Sequence, residues 1–364
     1  MKKNTFTTIW KSNFTTYGIV LLFFAVMMIL MATGNLSRLM RGQLVPICAY
    51  AIMAASLNLT VGVLGELSLG HAGFVSIGCF GGGLAAALLH DAGAGELVCL
   101  AGAVLAGVLL STLAGFLIGL PVLRLNGDYL AIVTLACCQI IKSLLTNLFV
   151  GRDESGLHTG FLTQPEGVAA DAFVIRGSQG LRNAAVIDNF PAAVVLLILC
   201  LIIIYNLIDS KSGRAIMALR DNKIAARSIG INITSYKMMA FVVSAAMAGA
   251  AGALFGLSQA TVLPGKFDFN MSVLILVFVV LGGLGNIRGS VIAAALLTIL
   301  PEKLRFLADY RMIIYAVVLI VVMLMRNSTV FHGLGEKIQG LLRRKKTAGS
   351  PPRDPDTDPA GKEG

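Results

Sequence analysis

From Leu97 to Leu123 the chain carries no charged residue, and runs of this kind recur along most of its length. Gly18–Ala32, Gln43–Gly62, Tyr129–Val150, Phe190–Ile208 and Met238–Ala260 are similarly apolar. A span of hydrocarbon takes about 20 apolar helical residues. In lipid every backbone donor and acceptor must be satisfied within the structure, so continuous apolar runs without alternation specify membrane helices. Composition agrees: 56% of residues are hydrophobic and 13% charged, with mean hydropathy +0.82, whereas soluble domains are about a quarter charged. A glycine-rich third run, Gly62–Gly83, continues into Leu84–Leu89. Asn270–Leu284, Ser290–Leu300 and Arg311–Arg326 complete the set, the first two short for a full crossing. The expected fold is an all-α polytopic membrane protein with about ten spans, some of them broken at glycine.

Two long polar segments interrupt this pattern. Residues 151–189 hold Arg152, Arg176 and Arg182 against Asp153, Glu154, Glu166, Asp171 and Asp188. Residues 209–237 hold Lys211, Arg214, Arg220, Lys223, Arg227 and Lys237 against Asp209 and Asp221. The basic segment belongs inside and the acidic one outside. The net charge of +10 therefore needs no nucleic acid to explain it. This gives a cytoplasmic N-terminus (1–16), a membrane domain (17–326) and a cytoplasmic tail (327–364). The turn at 124–128 falls inside; Arg38 and Arg41 fall outside, against the rule. Leu334, Ile338 and Leu341 suggest an interfacial helix before a disordered Pro/Asp/Gly end. The six cysteines lie in apolar runs and read as small buried residues.

Within 209–237, Asp209, Ser210 and Ser212 are candidate N-caps and Gly230 a stop signal. Either one helix runs from Arg214 to Ile229, or Asp221-Asn222 starts a second short one. One side is basic in both cases, and the other is small and flat, as a docking element for a partner would be. The sequence Gly65–Phe74, GELSLGHAGF, places Glu66, Ser68 and His71 among glycines beside a span, where ionisable groups point to function. Gly62-Val63-Leu64-Gly65 and Gly282-Gly283-Leu284-Gly285 share a G-x-L-G pattern in opposite halves, the mark of an internal repeat around a pathway. These segments give the candidate path residues Gly62, Gly65, Glu66, Ser68, Gly70, His71, Gly282 and Gly285. Ala248, Gly252 and Gly256, and Gly115 and Gly119, have the four-residue spacing of small residues in helix packing. Asp128 reads as a helix cap. The chain has no phosphate-binding loop, nucleophile elbow or zinc motif, so no catalytic, cofactor or metal residues are expected.

Taken in order, GELSLGHAGF at 65–74, GDYLAIVT at 127–134, GRAIMALRDNKIAARSIG at 213–230 and LGGLGNIRG at 281–289 resemble the LivM-type permease subunits of branched-chain amino-acid ABC importers. The resemblance spans most of residues 40–325. It implies an ABC importer permease fold in a bacterial inner membrane, with both termini cytoplasmic. It also implies that the chain is not itself an enzyme. ATP hydrolysis would belong to two ABC ATPase subunits, which dock through Ala225-Ala226-x-x-x-Gly230 within the set Gly213, Arg214, Ala218, Arg220, Asp221, Ala225, Ala226 and Gly230. The other implied partners are a homologous second permease, a periplasmic or lipid-anchored substrate-binding protein, and membrane lipid. The implied solutes are leucine, isoleucine and valine. A permease of the same architecture for urea, an amide or a sugar stays open. An ion-coupled secondary transporter would need acids deep within spans, and almost none are present.

Overall fold

A computed structural model of the chain describes residues 3–33, 38–125, 127–153, 156–162, 173–182 and 186–303, with Val317 and Ile320. Two compact units divide it, Met1–Phe306 and Leu307–Gly364. The expected span at 311–326, apart from those two residues, and the tail with its interfacial helix lie outside the described residues.

The first unit is helical: α1 (Lys3–Ala32), α2 (Arg38–Asn58), α3 (His71–Asp91), α4 (Glu96–Val122), α5 (Asp128–Thr146), α6 (Phe190–Asp209), α7 (Lys211–Asp221), α8 (Lys223–Ser228), α9 (Ile233–Leu257), α10 (Phe269–Gly282) and α11 (Ile287–Lys303). Six of these, counting the turn that prolongs α2, are long and apolar enough to cross a membrane: Met40–Leu64, α3, α4, Tyr129–Thr146, α6 and α9. Thr16–Met31, α10 and Ile287–Pro301 are shorter apolar helices. The short basic N-terminus is not separate from the first apolar run; α1 is one helix of 30 residues. Asp128 opens α5 as its first residue, with Gly127 in the cap position.

Helices α2 and α9 form the centre, and α3, α4, α10 and α11 pack round them. Small residues set the distances. A Cβ on Gly252 would lie 2.1 Å from the Val75 carbonyl oxygen, and one on Gly115 would lie 2.6 Å from the Ala245 Cβ. The spacing of small residues anticipates both contacts. Gly78, Gly107 and Gly249 extend the seam: a Cβ on Gly78 would sit 2.2 Å from the Gly249 oxygen, and one on Gly249 would sit 2.4 Å from the Gly107 oxygen.

Where it is described, the acidic polar segment is largely strand. It supplies β1 (Leu148–Asp153), β2 (Gly156–Phe161), β3 (Phe173–Arg176) and β4 (Leu181–Arg182), and β5 (Thr261–Val262) joins them from beyond α9. The five strands pair in the order β2-β1-β3-β4-β5, antiparallel throughout, with Leu148 opposite Phe161 and Leu181 opposite Val262. Val150, Ile175, Leu181 and Val262 are buried beneath the sheet. There is no room for a side chain at Gly83 of α3, because Leu181 fills it. The sheet thus caps one end of the bundle. The basic segment lies at the opposite end of α6 and α9.

Candidate functional site

The basic segment folds as two helices. Ser210 caps α7, its hydroxyl accepting from the Gly213 amide at 3.1 Å. Asn222 is extended and ends α7. Its side-chain oxygen accepts from the amides of Ile224 and Ala225, both at 3.0 Å, and so starts α8. An Asn side chain can replace the backbone partners missing at a helix start, so the second of the two sequence readings is the one adopted. Gly230 ends the pair at φ +84°, where an L side chain is strained. Asn232 then caps α9 through the Ser235 amide.

Gly213, Ile216 and Leu219 form the buried face of α7. Ile216 packs with Leu59, Val63, Leu64, Leu207 and Ala240. At Gly213 the carbonyls of Leu207 and Ile208 leave no space for a Cβ. Ala218 is half-buried, and Arg214 and Asp221 are exposed. On α8 the two alanines part company. Ala226 faces inward, whereas Ala225 is exposed beside Ile224 and Ile229, which are 81% and 76% exposed. The outward surface is therefore apolar, two isoleucines beside one small residue, and is flanked by the exposed Arg227 and Ser228.

Between α2 and α3 the helix breaks. Leu59–Leu64 is a wide π turn, closed by Gly65 in the left-handed region at φ +79°. Asn58 explains why the break is stable. Its amide nitrogen donates to the Gly283 oxygen at 3.2 Å and to the Ser290 hydroxyl at 2.7 Å, and its oxygen accepts from the Gly285 amide at 2.8 Å. The two G-x-L-G segments consequently touch: a Cβ on Gly62 would meet the Gly285 nitrogen at 2.1 Å. Gly282 is pressed in the same way against Ser290.

Glu66 follows the break and is only 3% exposed. One carboxylate oxygen accepts from Lys237 at 2.6 Å and from Lys223 at 2.8 Å. Lys237 is 2% exposed and Lys223 is 42% exposed. Burial by itself raises the Glu66 pKa, but hydrogen bonds from the two ammonium groups outweigh it and hold the carboxyl below the ordinary range. Arg220 donates to the Gly62 oxygen at 2.5 Å, and its stem covers Gly65, where a Cβ would lie 2.9 Å from its Cγ. Two cations of α7–α8 therefore grip the break, at Gly62–Gly65 and at Glu66.

The rest of the glycine-rich segment is bound from other sides. Ser68 is buried. The Leu69 amide donates to the Thr134 hydroxyl at 3.1 Å, and Gly70 lies against the Thr134 carbonyl. The Ala72 amide donates to the Ser272 hydroxyl at 3.2 Å. His71 Nε2 is 2.8 Å from the Ser56 hydroxyl, and the Ser244 hydroxyl donates to the Ser56 oxygen at 2.7 Å. The structure thus joins two residue sets that are separate in the sequence, linking Arg220 to Gly62, Gly65 and Gly285, with Glu66 held by the neighbouring Lys223. Sequence reasoning missed Asn58 and Lys237 as site residues. The signal for Asn58 is a polar side chain inside an apolar run; Lys237 directly precedes one, a turn into α9. Among the described residues no group of His, Cys, Asp or Glu could hold a metal ion.

The sequence profile of the "Branched-chain amino acid transport system / permease component" family matches residues 39–323. Two curated relatives, from Salmonella typhimurium and Escherichia coli, are each named "High-affinity branched-chain amino acid transport system permease protein LivM". Each is 37% identical over 62% of this chain and 54% of its own. The chain thus spans about half the length of the curated relatives it matches. No solved structure matches. A multi-pass helical bundle whose family profile covers most of its length belongs to the permease components of branched-chain amino acid transport systems.

Proposed function

We propose that this chain is one of two homologous permease subunits of an ATP-driven importer in a bacterial inner membrane, and that it carries leucine, isoleucine and valine. Two ATPase subunits dock from the cytoplasm on the exposed surface of α8, around Ile224, Ala225 and Ile229, and they hydrolyse the ATP. A soluble or lipid-anchored binding protein delivers solute at the sheet end, which faces outward. The termini are cytoplasmic.

The observation that carries this reading is the bridge from α7–α8 to the glycine break. Arg220 on the Gly62 carbonyl and Lys223 on Glu66 make displacement of the docking helices a displacement of the broken span. ATP binding closes the ATPase pair, moves α7–α8 and shifts the Gly62–His71 segment with Gly282 and Gly285, which face it across Asn58. A helix break is the part of a span that changes shape at least cost, because its hydrogen bonds already run to side chains.

Leucine uptake into proteoliposomes holding this chain and its partner subunits tests the proposal. Uptake is expected to require ATP inside the compartment where α8 lies and to stop with vanadate. Uptake driven by a proton gradient without nucleotide would overturn it.

A further inference from the structure

We propose that one flank of α5 lines the solute pathway, with the Gln139 amide as its hydrogen-bonding group at mid-membrane. This rests on the reading of the chain as a permease. The buried ridge of α5 is Leu130, Ala131, Thr134 and Cys138. Thr134 faces Leu69 and Gly70, and the Cys138 thiol reaches the Phe267 oxygen just before α10 at 3.9 Å. The opposite arc, including Ile132, Ala136, Gln139, Ile140 and Ser143, is open.

At 100° per residue this arc has two different edges. Gln139 and Ser143 continue round from Cys138, on the α10 side. Tyr129, Ile140 and Leu144 continue round from Thr134, on the other side, and are 73%, 59% and 50% exposed. The first edge holds Gln139 and Ser143 with Ile132, 62% exposed, between them; the second is apolar.

The other spans show what a lipid-facing surface looks like in this protein. The open positions of α4 include Leu105, Leu109, Leu113, Phe116 and Leu117, and those of α6 include Val195, Leu199, Ile202 and Ile203. None is polar. Gln139 lies midway along Tyr129–Thr146, is exposed, and makes no hydrogen bond to a described residue. A primary amide facing hydrocarbon loses its water without replacement, and polar groups at that depth face protein or a water-filled cavity. Of these two we assign water to the α10 edge of α5, and the labelling below separates it from a contact with the second permease subunit. Gln139 stands above the Leu69–Thr134 contact, so the wet edge leads from the sheet end down to the glycine break.

The chemistry suits a zwitterion. A neutral amide both donates and accepts, so it can meet an ammonium and a carboxylate in turn. It does so without the ion pair that would hold solute too tightly for passage.

Single cysteines at positions 139, 143 and 140 decide the matter, in the assembled transporter in proteoliposomes with a charged, membrane-impermeant methanethiosulfonate. Five native cysteines are buried and Cys137 is half-buried, so the wild-type protein sets the background. Gln139→Cys and Ser143→Cys are expected to react at least about tenfold faster than Ile140→Cys, since a thiol in lipid stays protonated and a thiol in water ionises. Equal rates at 139 and 140, or no reaction above background at 139 and 143, would overturn the proposal. Ser143→Cys changes one atom and decides the question if Gln139→Cys fails to assemble. Labelling does not depend on the solute. A wild-type transporter that failed to carry leucine would refute the proposed solute and leave the labelling result standing.

Discussion

Replacing Glu66 by Gln removes the one carboxylate shared by Lys223 and Lys237 and keeps the shape. The two lysines lose different amounts. Lys223 is 42% exposed and turns into water, so its share is under about 1 kcal/mol. Lys237 is 2% exposed and has nowhere to turn. An ion left unpaired in the interior destabilises by about 3–5 kcal/mol. The retained amide oxygen puts Glu66→Gln at the low end, about 3 kcal/mol. The fraction of monodisperse protein remaining after heating in detergent should show a fall in apparent Tm of roughly 5 °C or more, while Lys223→Gln should barely move it. Lys237→Met in the Glu66→Gln background removes the stranded charge and should restore most of the loss, because an apolar replacement of a buried pair is close to neutral. A Glu66→Gln protein as stable as wild type, or a double variant no better than the single, would refute the assignment of Lys237 as a buried partner.

Three further outcomes follow from the geometry. The Glu66 carboxyl is held below its ordinary 4.5, so its stabilisation is complete above that pH and is lost as the pH falls through the lower folded value; melting curves of wild type should drop there more steeply than those of the Glu66→Gln/Lys237→Met variant. Ala225→Glu puts a charge on the exposed apolar surface of α8; loss of even about 2 kcal/mol of interface energy weakens association some thirtyfold, so ATPase copurification should fall, whereas Lys211→Gln should leave it unchanged, and equal recovery would mean α8 is not the dock. Cysteines introduced at Ser178 and Ser212 should label from opposite sides of the membrane, Ser178 from outside.

What the sequence showed follows from how local each signal is. Ser210, Asn222 and Gly230 act within three or four residues, so the caps and stop of α7 and α8 were legible. So were the six long apolar helices, among the roughly ten spans expected, and the packing seams at Gly115 and Gly252. The twin G-x-L-G segments were visible as a pattern, but their contact depends on Asn58, whose amide carries no local mark of its partners. The Glu66 ion pair joins residues 157 positions apart through Lys223, and nothing in either neighbourhood names the other. The sheet was missed because its strands are two to six residues long and carry glycine and charge, so no alternation stands out. Ala225 and Ala226 looked alike until the bend at Asn222 turned one of them inward.

The strands come from two separate connections: β1 to β4 run between the end of α5 and the start of α6, and β5 follows α9. Their pairing bolts three helix ends into one plate, and the far ends of α6 and α9 have no such plate. This makes the bundle a lever with its fulcrum at the sheet. Helix α9 has 25 residues, about 37 Å at 1.5 Å per residue, so a tilt of about 5° swings its Lys237 end by about 3 Å. That swing is as long as the Glu66–Lys237 contact itself, 2.6 Å. A rocking too small to disturb the sheet is therefore enough to open or close the ionic clasp at the other end.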